Sequence, residues 1–472
     1  HRTGKEVIPH MQQSNQFLGT DPIPRLLRRL AVPTVTAQLI NMLYNIVDRI
    51  YIGHMPVDGA LALTGVGVCM PVIMIVAAFA SLVASGGAPR ASIAMGRGDE
   101  EEAQKILGSS FLFQVLISLL LSAVLLVWGR PVLLAFGASE NTIGYATDYL
   151  SIYALGTLFV QLTLGMNAFI TAQGFTKISM VSVVIGAVCN IVLDPIFIYA
   201  FGMGVRGAAL ATILSQAVSC CWVLVFLTGK KTLLRLQRRN LRLSPRILLP
   251  CLALGLAPFI MGASESVIAV CYNSSLLAAG GDIAVGAMTI LTSVMQFALL
   301  PLQGLGQGAQ PIASYNYGAK NPQRVRATFW LLLKVSLLYS AVFWALLMLA
   351  PQVFVGMFTA DAALAAFTIN AMRVYFAVLL VFGLQVACQM TFIAIGSAKA
   401  SITVAVMRKF VLLIPLIYLL PRLFSAAPTT AIYAAEPVAD LLAVTFTAVL
   451  FGIQFKKSMK KLESERQAPA AQ

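Results

Sequence analysis

An apolar stretch in the first half of the sequence contains two polar side chains, Asn190 and Asp194. Four residues apart, they share one face of a helix. A carboxylate at the centre of a membrane helix costs about 2.5–3.5 kcal/mol, so its presence there predicts a functional site. Pro195 lacks a backbone N–H and disfavours the α conformation of the residue before it, so we expect the helix to loosen beside Asp194. Freed carbonyls beside a carboxylate favour a proton or cation site. The alternative is a satisfied structural aspartate near a helix end.

The composition predicts the membrane that this interpretation requires. Of the 472 residues, 59% are hydrophobic and only 11% are charged, and the mean hydropathy is +0.84. Soluble domains contain about 25% charged residues. We therefore expect a multispanning protein in a lipid bilayer. The net charge of +15 does not predict a nucleic-acid partner, because the basic residues lie in short loops between apolar stretches, where they orient helices.

Other chemistries find little support in the sequence. The seven cysteines lie in apolar runs without paired ligand spacing, so we interpret them as small buried hydrophobic residues. There is no Walker-type phosphate loop, which argues against direct ATP drive, and the three histidines do not suggest catalysis. We expect no cofactor, and no metal other than Na⁺. Residues 1–10 are interpreted as a remnant of an expression vector, and we expect no cleavable signal peptide before the first apolar stretch.

Twelve apolar stretches are long enough to cross about 30 Å of hydrocarbon. They lie at approximately 26–52, 60–86, 106–129, 145–173, 178–201, 207–228, 248–278, 283–310, 327–350, 365–395, 400–421 and 429–454. Lysine and arginine cluster before the first stretch and after every even-numbered one, most densely over residues 230–246. The other loops contain little more than Arg130, Arg206 and Arg422. Positive charge favours the cytoplasmic side, so we expect both termini in the cytoplasm and the protein in the plasma (inner) membrane.

The sequence also repeats itself. Residues 92–96 (SIAMG) parallel residues 314–318 (SYNYG), and residues 136–177 parallel residues 358–399 at a constant offset. Pro33 similarly corresponds to Pro258. Two halves with six helices each point the same way across the membrane, which implies a pseudo-two-fold axis along its normal and favours an alternating-access transporter. Chance similarity between hydrophobic helices is the alternative. The predicted divisions are a tail (1–23), an amino-terminal lobe (24–228), a basic linker (229–247), a carboxy-terminal lobe (248–456) and a second tail (457–472).

Several motifs in this order resemble the multidrug and toxic compound extrusion (MATE) family of cation-coupled antiporters, bacterial type. They are Pro33 followed by YNIVDRIYIG at 44–53, NIVLDP at 190–195, GAALAT at 207–212 and GAKNP at 318–322. The resemblance extends from residue 24 to about residue 457. It implies an all-α integral membrane fold of twelve helices in two six-helix lobes. Carried over by position, the family's amino-lobe cation site implies Asp48, Asn190, Asp194 and Thr212, and Pro33 is where the first helix would bend.

Helix geometry agrees with that grouping. At 1.5 Å per residue, Asp48, Asp194 and Thr212 lie roughly 6–10 Å below the outer surface, so they could meet. Two carboxylates that approach in a low dielectric repel each other, and a proton or Na⁺ would relieve the repulsion. Thr212 and Asn190 would add neutral oxygens, which suit a hard cation. The alternative for Asp48 is an interfacial ion pair with Arg49.

In the second half, Glu265 is the main intramembrane acid, and it predicts either attraction of a cationic substrate or a second proton site. The alternative is a hydrogen bond to Ser264 or Ser266. Some members of the family have a further carboxylate in the tenth helix, where this sequence has Gln385 and Gln389. These glutamines are second-site candidates, but the departure weakens the prediction of a cation site there.

Three further residues complete the set of candidates. We expect Arg408 to reach a partner carboxylate or to extend towards the cytoplasm rather than to contact substrate. Met166 and Met288 are candidates to line an adaptable drug cavity, with ordinary helix packing as the alternative.

The resulting prediction is a monomeric antiporter, not an enzyme, that exports amphipathic or cationic drugs and other small organic compounds by admitting H⁺ or Na⁺. One alternative is a lipid-linked precursor flippase of the same superfamily, which should have a strongly cationic cavity for pyrophosphate. Another is an intramembrane enzyme that uses Asp48 and Asp194 as acid and base.

Overall fold

The computed structural model describes residues 15–468, so the interpretation of residues 1–10 concerns residues outside that range. Between residues 15 and 468 the backbone is almost entirely helical, and no β-strand occurs there. Helices satisfy every backbone hydrogen bond within one segment, which the interior of a bilayer requires. The predicted all-α integral membrane fold is confirmed.

Within the described residues, nine helices are long and apolar enough to cross a membrane. They are Ile23–Gly53, Gly59–Arg97, Glu100–Ala135, Thr176–Ala200, Val205–Thr228, Pro245–Gly318, Pro322–Leu349, Ala398–Leu423 and Pro428–Gln467. Two bent pairs add a segment each: Ile143–Leu155 with Thr157–Ala172 at 57°, and Ala362–Tyr375 with Leu379–Ala394 at 46°. Gly281, with φ 70° and ψ −160°, interrupts the 74-residue helix. Divided there, the described chain contains segments compatible with the twelve predicted, numbered span 1 to span 12 in chain order.

Two spans extend well past their predicted ends. Span 2 was expected to end at residue 86 but continues to Arg97, and span 12 was expected to end at residue 454 but continues to Gln467. Hydropathy marks the part of a helix that is in hydrocarbon, whereas hydrogen bonding continues the helix into the polar region beyond it. Short helices also occur at Phe17–Thr20 and Pro351–Gly356.

The internal repeat is visible as matching contacts in the two halves. Ser92 Oγ donates to the carbonyl of Ala172 at 2.6 Å, and Ser314 Oγ donates to the carbonyl of Ala394 at 2.7 Å. Spans 4 and 10, which contain these acceptors, are the two bent spans. Equivalent residues therefore make equivalent contacts, as the repeat predicts.

The two halves approach closely where spans 2 and 8 end. A Cβ atom on Gly96 would lie 2.0 Å from the carbonyl oxygen of Tyr315, and one on Gly318 would lie 2.0 Å from that of Ile93. Only glycine permits backbones to come this near. Thr34 Oγ1 adds a hydrogen bond of 2.6 Å from span 1 to the carbonyl of Gly304 in span 8.

Span 1 belongs to both halves. Its first turns, with Leu26 and Leu30, pack in a hydrophobic core with Ile312 and Phe329 of the second half. Its other end, with Ile52, packs in a core with Tyr149 of the first half. Pro33 lies within the part that contacts the second half, because Thr34 and Gln38, which follow it, donate hydrogen bonds to Gly304 and Gln307. A change in the relative position of the halves would therefore act on span 1 near this proline.

The helices are interrupted between Thr228 and Pro245, where the basic linker is predicted. Within that connection only Arg238–Asn240 forms a short 3₁₀ turn. Its backbone is held to the first half, because Gln173 Oε1 accepts a hydrogen bond of 2.9 Å from the Leu233 N–H. The division of the chain into domains stays a prediction.

Candidate cation site in the amino-terminal half

Asp48 and Asp194 come together between spans 1 and 5. Their carboxyl groups are close enough to share a hydrogen bond when one of them is protonated. Asp194 is completely buried, and Asn190, one helical turn before it, is 1% exposed. Residues separated by 146 positions in the sequence thus form one cluster of oxygen atoms, at the similar depths that helix rise predicts.

Several oxygens of this cluster lack a donor. Among the described residues, no hydrogen-bond partner reaches Oδ1 of Asp48, either carboxylate oxygen of Asp194 or Oδ1 of Asn190, although all four atoms are buried. A buried acceptor without a partner costs about 1–3 kcal/mol, and more if it is charged. Such a group of orphaned oxygens is the environment that a proton or a metal cation would satisfy.

The protein does not neutralise these acids with a base. No lysine or arginine nitrogen of residues 15–468 lies within 4.0 Å of either carboxylate. The alternative of an ion pair between Asp48 and its neighbour Arg49 is therefore not what the structure contains. Two carboxylates without a base repel each other in a low dielectric, so the pair favours an added positive charge.

Thr212 and Asn190 are oriented by each other. Asn190 Nδ2 donates to Thr212 Oγ1 at 3.3 Å, and the threonine hydroxyl donates to the carbonyl of Ala208 at 3.0 Å. Because the amide nitrogen is used in this way, the amide oxygen of Asn190 is the atom left free. Neutral oxygens of this kind suit a hard cation or a proton.

Two tyrosines that the sequence analysis did not select border this cluster. Tyr149 of span 4, 4% exposed, approaches Thr212, and Tyr44 of span 1 approaches Gln216 of span 6. Tyr44 lies four residues before Asp48, so it shares a helix face with the aspartate. That spacing was the available signal for Tyr44. For Tyr149 no comparable signal exists, because its helix joins the site only through the tertiary fold.

The helix was expected to loosen beside Asp194, and the loosening lies just after Pro195 rather than at the aspartate itself. The α-helix continues through Asp194 and Pro195, and it widens into a π-helix over Ile196–Ala200. Proline has no backbone N–H to donate, so one hydrogen bond of the α-helix is missing at Pro195. In a π-helix the hydrogen bonds join residues five apart, and this wider turn lets the span continue past the proline. Single π turns often occur at functional sites. Span 1 is likewise a continuous helix through Pro33, and its bending there stays a prediction.

The acids of the second half are arranged differently. Glu265 of span 7 forms an ion pair with Lys409 of span 11. Arg408 Nη2 lies 3.2 Å from Glu436 Oε1 and 2.9 Å from Asp440 Oδ1, both in span 12. The prediction that Arg408 reaches a partner carboxylate is confirmed.

Glu265 does not depend on its neighbouring serines. Ser264 Oγ donates to the carbonyl of Met261, and Ser266 Oγ donates to that of Pro71 in the first half. The alternative of a hydrogen bond to either serine is thus wrong, because a lysine remote in the sequence takes the carboxylate.

The remaining candidates lie inside their own halves. Gln389 Nε2 donates to the carbonyl of Ser401 at 3.3 Å, whereas Gln385 is 5% exposed and its Oε1 has no partner among the described residues. Met166 is completely buried in the core of the first half, and Met288 is 6% exposed in that of the second. Their placement favours the packing alternative over a cavity wall.

Comparison with known proteins places this geometry in a family. The family model MatE matches residues 33–196 and 259–419, which together make up more than half of the chain. The multidrug export protein MepA of Staphylococcus haemolyticus is 24% identical over 429 residues, 91% of this chain and 94% of that protein.

Solved structures have the same fold. A multidrug resistance MATE family transporter of the MOP superfamily, in an outward-facing conformation, superimposes with a TM-score of 0.88 at 22% identity over 94% of this chain and 98% of that one. A MATE structure in a bent conformation gives 0.89 at 22% identity over 96% and 99%. The chain belongs to the MatE family and is a multi-pass membrane transporter rather than an enzyme.

Proposed function

We propose that this transporter is a cation-coupled antiporter that exports amphipathic, often cationic, small organic compounds across the plasma membrane. H⁺ or Na⁺ enters from outside and binds at Asp48, Asp194, Asn190 and Thr212. Both termini are cytoplasmic, and the protein works as a monomer. The relatives named as multidrug exporters support the substrate class.

One observation supports coupling above all others: the half-buried Asp48 and the fully buried Asp194 lie together with no base within 4.0 Å among the described residues. Without an added charge they repel each other and leave acceptors unsatisfied. With a cation between them both problems are relieved. The cation therefore binds more tightly to the arrangement in which spans 1 and 5 hold the two carboxylates together.

Unequal affinity for two arrangements is what coupling requires, because a ligand shifts an equilibrium only by its differential binding. Span 1 connects this site to the second half, since its first turns pack there and its last turns pack in the first half. A change at Asp48 would act along span 1, with Pro33 as the point that bends. The substrate leaves outward as the cation enters.

A flippase for lipid-linked pyrophosphates is less well supported. It requires an excess of positive charge in the interior, whereas the buried ionic cluster of the second half contains three carboxylates and two bases.

The experiment is efflux of a cationic dye from proteoliposomes, measured separately under a sodium gradient and under a pH gradient. The wild-type protein should respond to one gradient, which identifies the ion. D48N and D194N should fold. Their gradient-driven efflux rate should be more than about tenfold lower than that of the wild type, because each removes one of the paired charges.

D148N is the matched control, since Asp148 is a half-exposed acid of the same half that pairs with Arg206. It should transport normally. Normal coupled efflux by both D48N and D194N would contradict the proposal.

A further inference from the structure

A cavity lies between the two halves near the end of span 2, away from the cation site. Its volume is about 190 Å³. Arg90, Arg97 and Glu102 line it from the first half, and Tyr317 and Gly396 line it from the second. Arg90 is four residues past the end of the apolar stretch predicted for span 2. The cavity is therefore where hydrocarbon gives way to the polar region of the bilayer, on the side that the proposed orientation makes cytoplasmic.

The guanidinium of Arg90 has no counter-charge among the described residues. No carboxylate of residues 15–468 lies within 4.0 Å of its nitrogens, and its Nε is buried without a hydrogen-bond partner in that range. The thiol of Cys251 in span 7 approaches it, but a thiol is a weak acceptor. A guanidinium keeps its proton in proteins. An anion would supply this one with an acceptor and a counter-charge together.

The helical framework does not require an arginine at this position. Because residues 92–96 parallel residues 314–318, Arg90 corresponds to Ile312 of span 8. Ile312 is completely buried in a hydrophobic core. The equivalent position in the second half thus has an apolar side chain, whereas in the first half a charged one lines a cavity. Packing alone therefore does not account for the arginine.

The lining of the cavity has an excess of positive charge. Arg97 follows Arg90 by about two helical turns and lines the same cavity. Its Nη1 lies 4.0 Å from Glu102 Oε2, and the two side chains are 52% and 36% exposed. An ion pair that is this long and this exposed is weak. Two arginines and one glutamate leave one positive charge, which suits an anion.

The donors favour a phosphate group. An arginine can present two parallel N–H groups to phosphate oxygens, and Tyr317 adds a hydroxyl from the other half of the molecule. A phosphate group offers three acceptor oxygens to donors from several directions, whereas a carboxylate has two oxygens in one plane. A water molecule takes up about 30 Å³ in the liquid, so the cavity has room for a phosphate group with some of its water.

We propose that this cavity binds a phosphate group, with Arg90 as the main contact and Arg97 and Tyr317 as further donors. The group belongs either to an anionic lipid, whose head group lies at this depth, or to a soluble phosphate. Because both halves line the cavity, the ligand favours the arrangement in which spans 2 and 8 cross here. The site goes beyond the proposed function, since neither the coupling ion nor the exported compound occupies it.

The test measures binding to delipidated protein in a neutral detergent, in two arms. The first is equilibrium dialysis of radiolabelled inorganic phosphate at constant ionic strength. The second is native mass spectrometry of retained phosphatidylglycerol, with diacylglycerol, which lacks the phosphate group, as its control. Binding in the first arm identifies a soluble phosphate as sufficient, whereas binding in the second arm alone identifies the lipid head group.

Variants at Arg90 should lose the ligand. R90Q and R90I should weaken binding at least about tenfold. R90I copies Ile312 of the second half, and it should fold normally because it removes a charge that has no partner. R90K keeps the charge but loses the paired N–H groups, so its affinity should lie between those of R90I and the wild type. R28Q, at an exposed arginine near the start of span 1, should bind as the wild type does.

A variant at Glu102 should have the opposite effect. E102Q removes the acid that competes for the arginines, so it should bind the phosphate group about threefold more tightly or better. Damage to the fold would not produce tighter binding. In the dialysis arm, acetate should displace phosphate at least about tenfold less well than sulfate does, because sulfate is tetrahedral and acetate is planar.

The shared lining is tested at the crossing of the halves. G318A places a Cβ atom 2.0 Å from the carbonyl oxygen of Ile93, so it should separate the two walls of the cavity and weaken binding about threefold or more. G452A, with nothing within 4 Å of the new atom, should bind as the wild type does.

Four results would overturn the inference: no binding of either phosphate or phosphatidylglycerol, wild-type affinity in both R90Q and R90I, weaker binding in E102Q, or equal displacement by acetate and sulfate. Unchanged binding in G318A would overturn the claim that the second half contributes to the site. None of these measurements involves transport, so their outcome is independent of whether the proposed coupling is correct.

Discussion

The two halves of the molecule share a fold and internal contacts, yet the carboxylates within their spans have opposite surroundings. In the first half, Asp48 and Asp194 meet without a base within 4.0 Å among the described residues, and three of their four carboxylate oxygens are buried without a donor. In the second half, Glu265, Glu436 and Asp440 are paired with Lys409 and Arg408. Both sites are costly in a membrane interior, but only the second contains its own counter-charges.

The difference separates two roles. A pair of acids without a base has differential affinity for a cation, so it can be a coupling site. A cluster with its own bases is already held together by ion pairs. The two halves thus share their helices and the crossing of spans 2 and 8, and they differ in their charged residues.

The largest expected effect comes from removing a base of the second half. Arg408→Met leaves Glu436 and Asp440 buried without their cation, and breaking a buried pair in this way costs about 3–5 kcal/mol. The unfolding temperature in detergent should fall strongly. Arg206→Met is the matched control, because Arg206 pairs with Asp148 at a half-exposed site where such a pair contributes about 0–1 kcal/mol. Equal stability of the two variants would contradict the view that Arg408 neutralises Glu436 and Asp440.

A loss of stability of intermediate size is expected at the crossing of spans 2 and 8, where the two halves make equivalent contacts. Gly96→Ala and Gly318→Ala each place a Cβ atom 2.0 Å from a carbonyl oxygen of the other half, so the crossing of spans 2 and 8 must open. Each variant should lose about 1–3 kcal/mol of stability, and the two losses should be similar. Gly452→Ala, with nothing within 4 Å of the new atom, should be neutral or slightly stabilising. A large loss in only one of the first two would refute the equivalence of the crossing.

The smallest effect is expected at the edge of the cation site. Thr212→Val removes the acceptor of the Asn190 amide, which costs about 1 kcal/mol or somewhat more. The affinity for the coupling ion should fall by about tenfold or less, and coupled efflux should persist at high ion concentration. Thr228→Val, near the other end of the same helix, should leave ion affinity unchanged. Complete loss of transport in Thr212→Val would mean that the threonine does more than orient Asn190.

Part of the first-half site followed from the residues themselves, and the resemblance to the MATE family added Asp48 and Thr212. A carboxylate in an apolar stretch is conspicuous, and helix rise placed Asp48 and Asp194 at similar depths. The approach of Tyr149 to Thr212 depends on how span 4 packs against span 6, which no spacing along one helix reveals. The continuation of the helix through Pro195 depends on a π turn that the proline alone does not predict.

The second-half cluster was harder to anticipate. Glu265 and Lys409 are 144 residues apart, and neither spacing nor periodicity connects them. The sequence does place Arg408 and Lys409 in an apolar stretch, where some partner is required. Which acid each base would reach depends on the packing of spans 7, 11 and 12. The repeat did not help, because the two halves differ in these residues.

The most direct test of the central claim is equilibrium binding of the coupling ion to the purified protein, using radiolabelled Na⁺ and, separately, proton uptake reported by a pH indicator. The wild-type protein should bind about one cation per chain of the kind that drives efflux. The double variant D48N/D194N should bind none, and E265Q should bind as the wild type does. Persistent binding in D48N/D194N, or its loss in E265Q, would contradict the assignment of coupling to the two unpaired aspartates.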